Sequence, residues 1–149
     1  MKIILYQPEI PQNTGNIVRT CRVVGAALIL IRPLGFATCS RMLKRAGLDY
    51  WDGVDVQERD DLENYLSTCP NNCYFFSSKA KKYYTDVAYD LHSELIFGSE
   101  TKGLPPIFFN KWPDRFVTIP MQNDTRCLNL SNAVAIALYE AKRQHNFQF

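Results

Sequence analysis

The chain is short of the features that mark most cofactor and nucleophile chemistries. Its only histidines are His92 and His145, and neither lies in the polar stretches Pro8 to Arg19, Phe97 to Pro105 or Ile119 to Ala133. With no Gly-x-Ser-x-Gly elbow either, a serine hydrolase is disfavoured. No Gly-x-Gly-x-x-Gly follows the first strand-like segment. Gly98 and Gly103 have the outer spacing of a phosphate-binding loop, but Lys102 precedes the second glycine instead of following it. A dinucleotide enzyme of ordinary type and a P-loop NTPase are therefore both disfavoured. The five cysteines (Cys21, Cys39, Cys69, Cys73, Cys127) are odd in number and none is spaced Cys-x-x-Cys, so free thiols are expected. Cys69 and Cys73 could supply half of a zinc site, but the histidines lie in no ligand-like spacing to them, and no metal is expected. The longest apolar runs, Val23 to Ile31 and Ala133 to Tyr139, fall far short of the roughly 20 residues of a membrane span. Met1-Lys2 leads directly into Ile3-Ile4-Leu5-Tyr6 without a signal-peptide pattern, so a cytoplasmic location without membrane association is expected.

What is present is enough for one good core. With 149 residues, 46% hydrophobic and 13% aromatic, and no visible linker, residues 1–149 read as a single domain. The net charge of +2 is too small for indiscriminate nucleic-acid binding, so its distribution matters more than its size. Arg41, Lys44 and Arg45 fall at i, i+3 and i+4 on a short helix that Ser40 could cap. Lys79, Lys81 and Lys82 cluster in a loop, while Arg19, Arg22 and Arg126 flank polar motifs. Acidic residues collect instead between Asp49 and Glu63. Basic clusters of this kind suit either an RNA footprint or an ordinary solvated surface.

Strand-like and helix-like segments alternate. Strands are expected at Ile3 to Tyr6, Ala27 to Ile31, around Val54 and Val56, at Cys73 to Phe76, Leu95 to Phe97 and Phe116 to Ile119. Helices are expected at Thr14 to Val24, Arg41 to Ala46, from Asp60 or Asp61 to Leu66, and from Asn129 or Ser131 to about Gln144. Such alternation predicts an α/β fold with a mainly parallel sheet and helices on both faces. Three polar or glycine-rich loops leave strand ends: Pro8 to Arg19, Phe97 to Pro105, and Ile119 to Ala133. In an open parallel sheet such loops share one ligand crevice, often at a helix start where free backbone N–H groups point outward. The final helix reads Ala-Val-Ala-Ile-Ala-Leu-Tyr from Ala133 to Tyr139, apolar on every face, so burial on both sides is expected. Either a second subunit covers it or it runs through the centre of one.

The long motifs carry a resemblance. Tyr6-Gln-Pro-Glu-Ile-Pro-Gln-Asn-Thr-Gly-Asn-Ile-Val-Arg-Thr-Cys21, Arg45-Ala-Gly-Leu-Asp-Tyr50, Phe97-Gly-Ser-Glu-Thr-Lys-Gly-Leu-Pro105, and Ile119-Pro-Met with Asn129-Leu-Ser-Asn-Ala-Val134 resemble the SPOUT superfamily. The likeness is to its SpoU branch of RNA ribose 2′-O-methyltransferases, and within that to the short TrmL-like (YibK-like) enzymes. The resemblance implies a parallel sheet whose C-terminal segment is threaded into a trefoil knot, an exception to the rule against threaded chains. It also implies S-adenosylmethionine bound in the knot, a homodimer with both subunits contributing to each site, and tRNA as partner. The implied activity is 2′-O-methylation at the wobble nucleotide of leucine tRNAs, cytidine or uridine. Another tRNA or rRNA nucleotide, or a non-catalytic RNA-binding module of the same fold, are the alternatives.

Carried over position by position, the resemblance implies that the first motif places Asn13 and Arg19, the second Glu100, Gly103 and Leu104, and the third Asn129 and Ser131. Arg19, Asn13, Glu100 and Asn129 then form the catalytic set. Phe76, Gly98, Gly103, Ile119, Cys127 and Leu128 contact the cofactor, while Arg41, Lys44, Arg45, Lys79 and Arg126 contact RNA. Two positions depart from the family pattern. Phe76 replaces a smaller aliphatic, harmless if the backbone makes the contact, and Cys127 replaces serine with a weaker hydrogen-bonding thiol. A ribose hydroxyl is a poor nucleophile at neutral pH, so the site has to stabilise the charge that develops on its oxygen. Arg19 is expected to do so electrostatically, because a guanidinium rarely gives up its proton.

Overall fold

The structure, a computed structural model, describes residues 1–37, 53–68 and 72–148. Strands β1 (Lys2–Tyr6), β2 (Ala27–Ile31), β3 (Val56–Arg59), β4 (Cys73–Phe76), β5 (Glu94–Phe97) and β6 (Phe116–Val117) form one six-stranded sheet. The order is β3-β2-β1-β5-β4-β6 and every pairing is parallel. The expected α/β architecture with a parallel sheet is therefore what the chain adopts.

Each central strand is apolar on both faces because helices cover both. On one face Ile3, Leu5, Leu28, Leu30, Leu95 and Phe97 pack under α1 (Pro11–Val24) and α4 (Leu130–Gln144). On the other, Ile4, Ile29, Phe75 and Ile96 pack with Leu62 of α2 (Leu62–Ser67) and Phe108 of α3 (Pro106–Lys111). Full burial of such side chains contributes about 1.5–3 kcal/mol each before chain entropy is counted, so the sheet carries most of the fold.

Chain order places the ligand crevice. From β1 the chain steps outward through β2 to β3, then crosses to the other side of β1, where β5, β4 and β6 lie. The reversal between β1 and β5 opens a gap at the carboxyl ends of neighbouring strands, where open α/β sheets bind ligands. The loops after β1 and β5 flank that gap.

Local departures from the expected elements have local causes. Helix α1 begins at Pro11 instead of Thr14, because proline at the first helical position needs no donor. Helix α3 and the 3-10 turn Pro113–Arg115 were not foreseen; both open on proline and are too short for a periodic signal. Strand β6 ends at Val117, and Thr118 makes only an isolated bridge to Tyr83. The expected helix over Arg41 to Ala46 lies outside the described residues.

Helix α4 starts as expected, with Asn129 at its cap accepting from the Ser131 amide at 2.9 Å. Its burial is one-sided. Val134, Ala137, Leu138 and Ala141 lie against the sheet and α1, while Ile136 and Tyr139 remain 37% and 42% exposed. A helix buried through the centre of a single subunit is thereby excluded, and the expectation of cover on both sides fails within one chain.

Candidate active site

A cavity of about 890 Å³ opens at the carboxyl ends of β4 and β5 and is walled by all three motif loops. Its floor is apolar, with Phe76 and Phe97 stacked at 4.6 Å and Ile119, Leu130 and Ala133 beside them. Such a size and lining are typical of a pocket for a nucleoside-sized ligand.

The polar side of the pocket is a hydrogen-bonded relay joining the three motifs. Asn129 donates from Nδ2 to Asn13 Oδ1 at 2.9 Å, and Asn13 donates from Nδ2 to Glu100 Oε1 at 3.0 Å. Glu100 also accepts from the backbone amides of Glu9 at 2.8 Å and Ile10 at 3.2 Å. At the other end, Asn129 Oδ1 accepts from both the amide and the hydroxyl of Ser131. Both polar ends of each asparagine side chain are thus engaged, and their amide orientations are fixed by what they meet. The carboxylate of Glu100 sits at the start of α1, where Ile10 offers no side-chain cap and the helix dipole favours an anion.

Sequence reasoning did not single out Glu9 and Thr101, which close the same junction. Thr101 Oγ1 donates to Glu9 Oε1 at 2.8 Å, reciprocating the bond from the Glu9 amide to Glu100. A carboxylate and a hydroxyl sitting in two separate motifs were the available signal.

Glycine is demanded at two positions in the second motif. A Cβ on Gly98 would lie 2.2 Å from the carbonyl carbon of Gly103 and 2.4 Å from the Leu104 amide nitrogen, so the loop folds back directly over it. Gly103 has φ +67°, in the left-handed region, and donates its amide to the Ser99 carbonyl at 2.9 Å.

Of the residues the sequence suggested, Asn13, Phe76, Lys79, Gly98, Glu100, Gly103, Ile119, Arg126, Cys127, Leu128 and Asn129 all line this pocket. Cys127 is exposed and has a free thiol. Arg19 is exposed on α1 and does not line the pocket. Six residues beyond Asn13, it is separated from it by about 120° around the helix axis. Arg41, Lys44 and Arg45 lie outside the described residues.

The arrangement fits a nucleoside-type ligand. The apolar floor suits an adenosine, and the Gly98–Gly103 fold exposes backbone groups at a place where no side chain could stand. No group of acidic, thiol or imidazole side chains able to hold a metal occurs among the described residues.

Known proteins resemble the chain over nearly its whole length. The chain is 46% identical over 151 residues, covering 99% of this chain and 96% of the relative, to a Geobacillus stearothermophilus protein provisionally named tRNA (cytidine(34)-2′-O)-methyltransferase. It is 41% identical over 146 residues, covering 97% and 93% respectively, to the Escherichia coli K12 tRNA (cytidine(34)-2′-O)-methyltransferase. A solved structure described as giving insight into 2-OH methylation of C/U34 on tRNA superposes with a TM-score of 0.92 at 41% identity, covering 99% of this chain and 97% of that one. Residues 1–139 match the SpoU rRNA Methylase family, and the chain belongs to that family.

Proposed function

We propose that the protein is a tRNA ribose 2′-O-methyltransferase that uses S-adenosylmethionine and acts on nucleotide 34, cytidine or uridine, of leucine tRNAs. The observation that carries this is the relay from Ser131 through Asn129 and Asn13 to Glu100 along the wall of an apolar, nucleoside-sized pocket. The likeness to relatives named for cytidine 34 supports the substrate.

Phe76, Gly98, Gly103, Ile119, Cys127 and Leu128 would hold the methyl donor, which when bound supplies an electrophilic methyl group. The chain's own residues prepare the acceptor. Asn13, locked between Glu100 and Asn129, presents a rigid polar wall against which the ribose is oriented, so its position is set before substrate arrives. Glu100 organises that wall instead of acting as a base, because both of its oxygens are occupied by donors.

Arg19 completes the site from a second copy of the chain. It does not line its own pocket, and the packed helices α1 and α4 leave exposed Val23 (59%) on the first and Ile136 and Tyr139 on the second. Exposed apolar residues on two packed helices suit a symmetric dimer. In that dimer the guanidinium of one protomer orients the ribose hydroxyl at its partner's pocket and stabilises negative charge growing on the oxygen, without losing its own proton. The same reading takes the segment between β6 and α4 as the threaded arm of a trefoil knot, with tRNA meeting Lys79, Arg126 and the Arg41, Lys44, Arg45 group.

The test is direct. Purified protein with S-adenosylmethionine and unmodified leucine tRNA should place one methyl on the ribose of nucleotide 34, read by mass spectrometry of nuclease fragments. Tight cofactor binding without transfer to any RNA would instead favour a non-catalytic role.

A further inference from the structure

We propose that Lys102 binds the phosphodiester attached to the ribose that is methylated. The inference rests on the reading of this pocket as an RNA ribose methylation site and adds the group that grips the backbone there.

Three cations reach the pocket from three different loops: Lys79 after β4, Lys102 after β5 and Arg126 ahead of α4. All three are exposed, and none takes part in an ion pair among the described residues. The acidic side chain that shares the lining with them, Glu100, is turned toward the first motif and has both oxygens occupied by the amides of Glu9 and Ile10 and by Asn13. The mouth therefore carries positive charge with its one carboxylate already committed, and concave surfaces of one sign concentrate that field.

Lys79 shares with Lys102 an amide bonded to a serine hydroxyl, at 3.2 Å to Ser77 Oγ, but Lys102 alone stands in the loop that carries Glu100 and that folds back on Gly98. The Lys102 amide donates to Ser99 Oγ at 3.3 Å, the next amide donates to the Ser99 carbonyl at 2.9 Å, and Gly98 lies against Gly103 with no room for a Cβ. It sits two residues from Glu100, so the loop that fixes Asn13 also fixes the point from which the ammonium extends. A flexible side chain on a rigid base, beside the ribose wall, suits a phosphate that is covalently bound to that ribose. The 3′ phosphodiester is vicinal to the reacting 2′ oxygen, and a nearby cation there also offsets the charge that builds on that oxygen.

The experiment uses the whole protein and an anticodon stem-loop RNA of a leucine tRNA. Binding is measured across a series of salt concentrations for wild type, Lys102→Ala and Lys102→Arg. The RNA is used intact and with one neutral methylphosphonate 3′ of nucleotide 34. Loss of one phosphate contact on single-stranded RNA should lower the salt slope by about 0.7. Lys102→Ala should show that drop and weaken RNA binding several-fold, Lys102→Arg should recover most of it, and the methylphosphonate should cost wild type affinity but add little to Lys102→Ala. Cofactor affinity by calorimetry should be the same in all three proteins. Fully additive losses, or an unchanged slope, overturn the assignment. A fall in cofactor affinity overturns it too, by assigning Lys102 to the donor's own carboxylate. If wild type binds the cofactor yet methylates no RNA, it is the functional reading beneath that fails.

Discussion

Asn129 and Asn13, 116 residues apart in sequence, meet side chain to side chain at 2.9 Å, with Asn129 donating and Asn13 accepting. The contact makes the start of α4 and the start of α1 one unit. Asn129 does two jobs there, since its Oδ1 caps α4 through Ser131 while its Nδ2 holds Asn13.

The two jobs separate by substitution. Asn129→Asp keeps the capping oxygen and loses the donor to Asn13, whereas Asn129→Ala loses both. Asn129→Ala should cost about 1 kcal/mol of stability, the usual effect of deleting a helix cap. Asn129→Asp should unfold close to wild type in a thermal melt and still methylate at least roughly tenfold more slowly, because a carboxylate facing Asn13 Oδ1 and Glu100 misorients the wall. Equal turnover in Asn129→Asp and wild type would remove the relay from the mechanism.

Gly98→Ala tests the fold of the second motif. Its new Cβ would stand 2.2 Å from the Gly103 carbonyl carbon and 2.6 Å from its Cα, and both atoms are backbone, so the loop has to open. Since Gly98 lines the pocket while the sheet below it is untouched, the expected result is a folded protein by circular dichroism that no longer binds S-adenosylmethionine. Calorimetry with the cofactor checks it.

How much of this was legible beforehand depends on the range over which each signal acts. Alternating apolar segments located β1, β2, β4 and β5 almost to the residue, because a strand buried on both faces must be apolar throughout. The strand order was not legible, since pairing β1 with β5 rather than β4 depends on which crossover packs best across the whole sheet. Most residues lining the pocket stand in motifs visible in the sequence, but their arrangement was not legible. Nothing in the spacing of Asn13 and Arg19 announces that one lines the pocket while the other stays outside it; the expected helix leaves Asn13 ahead of its start, whereas α1 starts at Pro11 and buries it. Glu9 and Thr101 escaped notice because a single hydrogen bond between two loops has no periodicity to detect.

Arg19 allows a test of subunit sharing. Arg19→Ala leaves its own pocket intact, and Gly98→Ala leaves its own Arg19 intact. Each should be inactive alone. If the guanidinium serves the partner's pocket, mixing them under conditions that exchange subunits should restore about a quarter of wild-type activity, because half of the dimers are mixed and each has one complete site. No recovery in the mixture, with heterodimers verified by mass, would put Arg19 at its own pocket or outside the reaction.

Alkaline stability should be limited at the opposite end of the sheet. There Lys2 bonds to Tyr65 Oη at 3.1 Å and to buried Glu94 at 3.1 Å, and Tyr65 donates to Glu94 at 2.8 Å. The hydrogen bond to Tyr65 raises the Lys2 pKa, and burial pushes the Tyr65 hydroxyl up to about 12. Both groups hold their proton more tightly folded than unfolded, so their contribution is complete below about pH 10 and falls as pH rises through the folded values. Denaturant midpoints should be flat from pH 8 to about 9.5 and decline from there toward pH 12. Tyr65→Phe, which removes one titrating group, should show a shallower decline. A midpoint that rises above pH 10 contradicts the linkage.

Cys127 and Cys21 are chemically alike and physically opposed. Cys127 is exposed in the pocket, whereas Cys21 is on the buried face of α1, where burial pushes its thiol up to about 12 and keeps it protonated. Thiolate is the reactive form, so iodoacetamide at pH 8 should label Cys127 and spare Cys21, as peptide mapping would show. An acetamide on Cys127 would project into the space beside Leu128 and Ile119, so labelling should abolish cofactor binding, and bound S-adenosylmethionine should in turn slow labelling. Cys127→Ser should resist the reagent yet retain turnover within a few-fold of wild type, since a hydroxyl hydrogen-bonds better than a thiol. Loss of turnover in Cys127→Ser would require a chemical role for the sulfur, and the mechanism based on Arg19 and the asparagine relay would have to be replaced by one that passes through it.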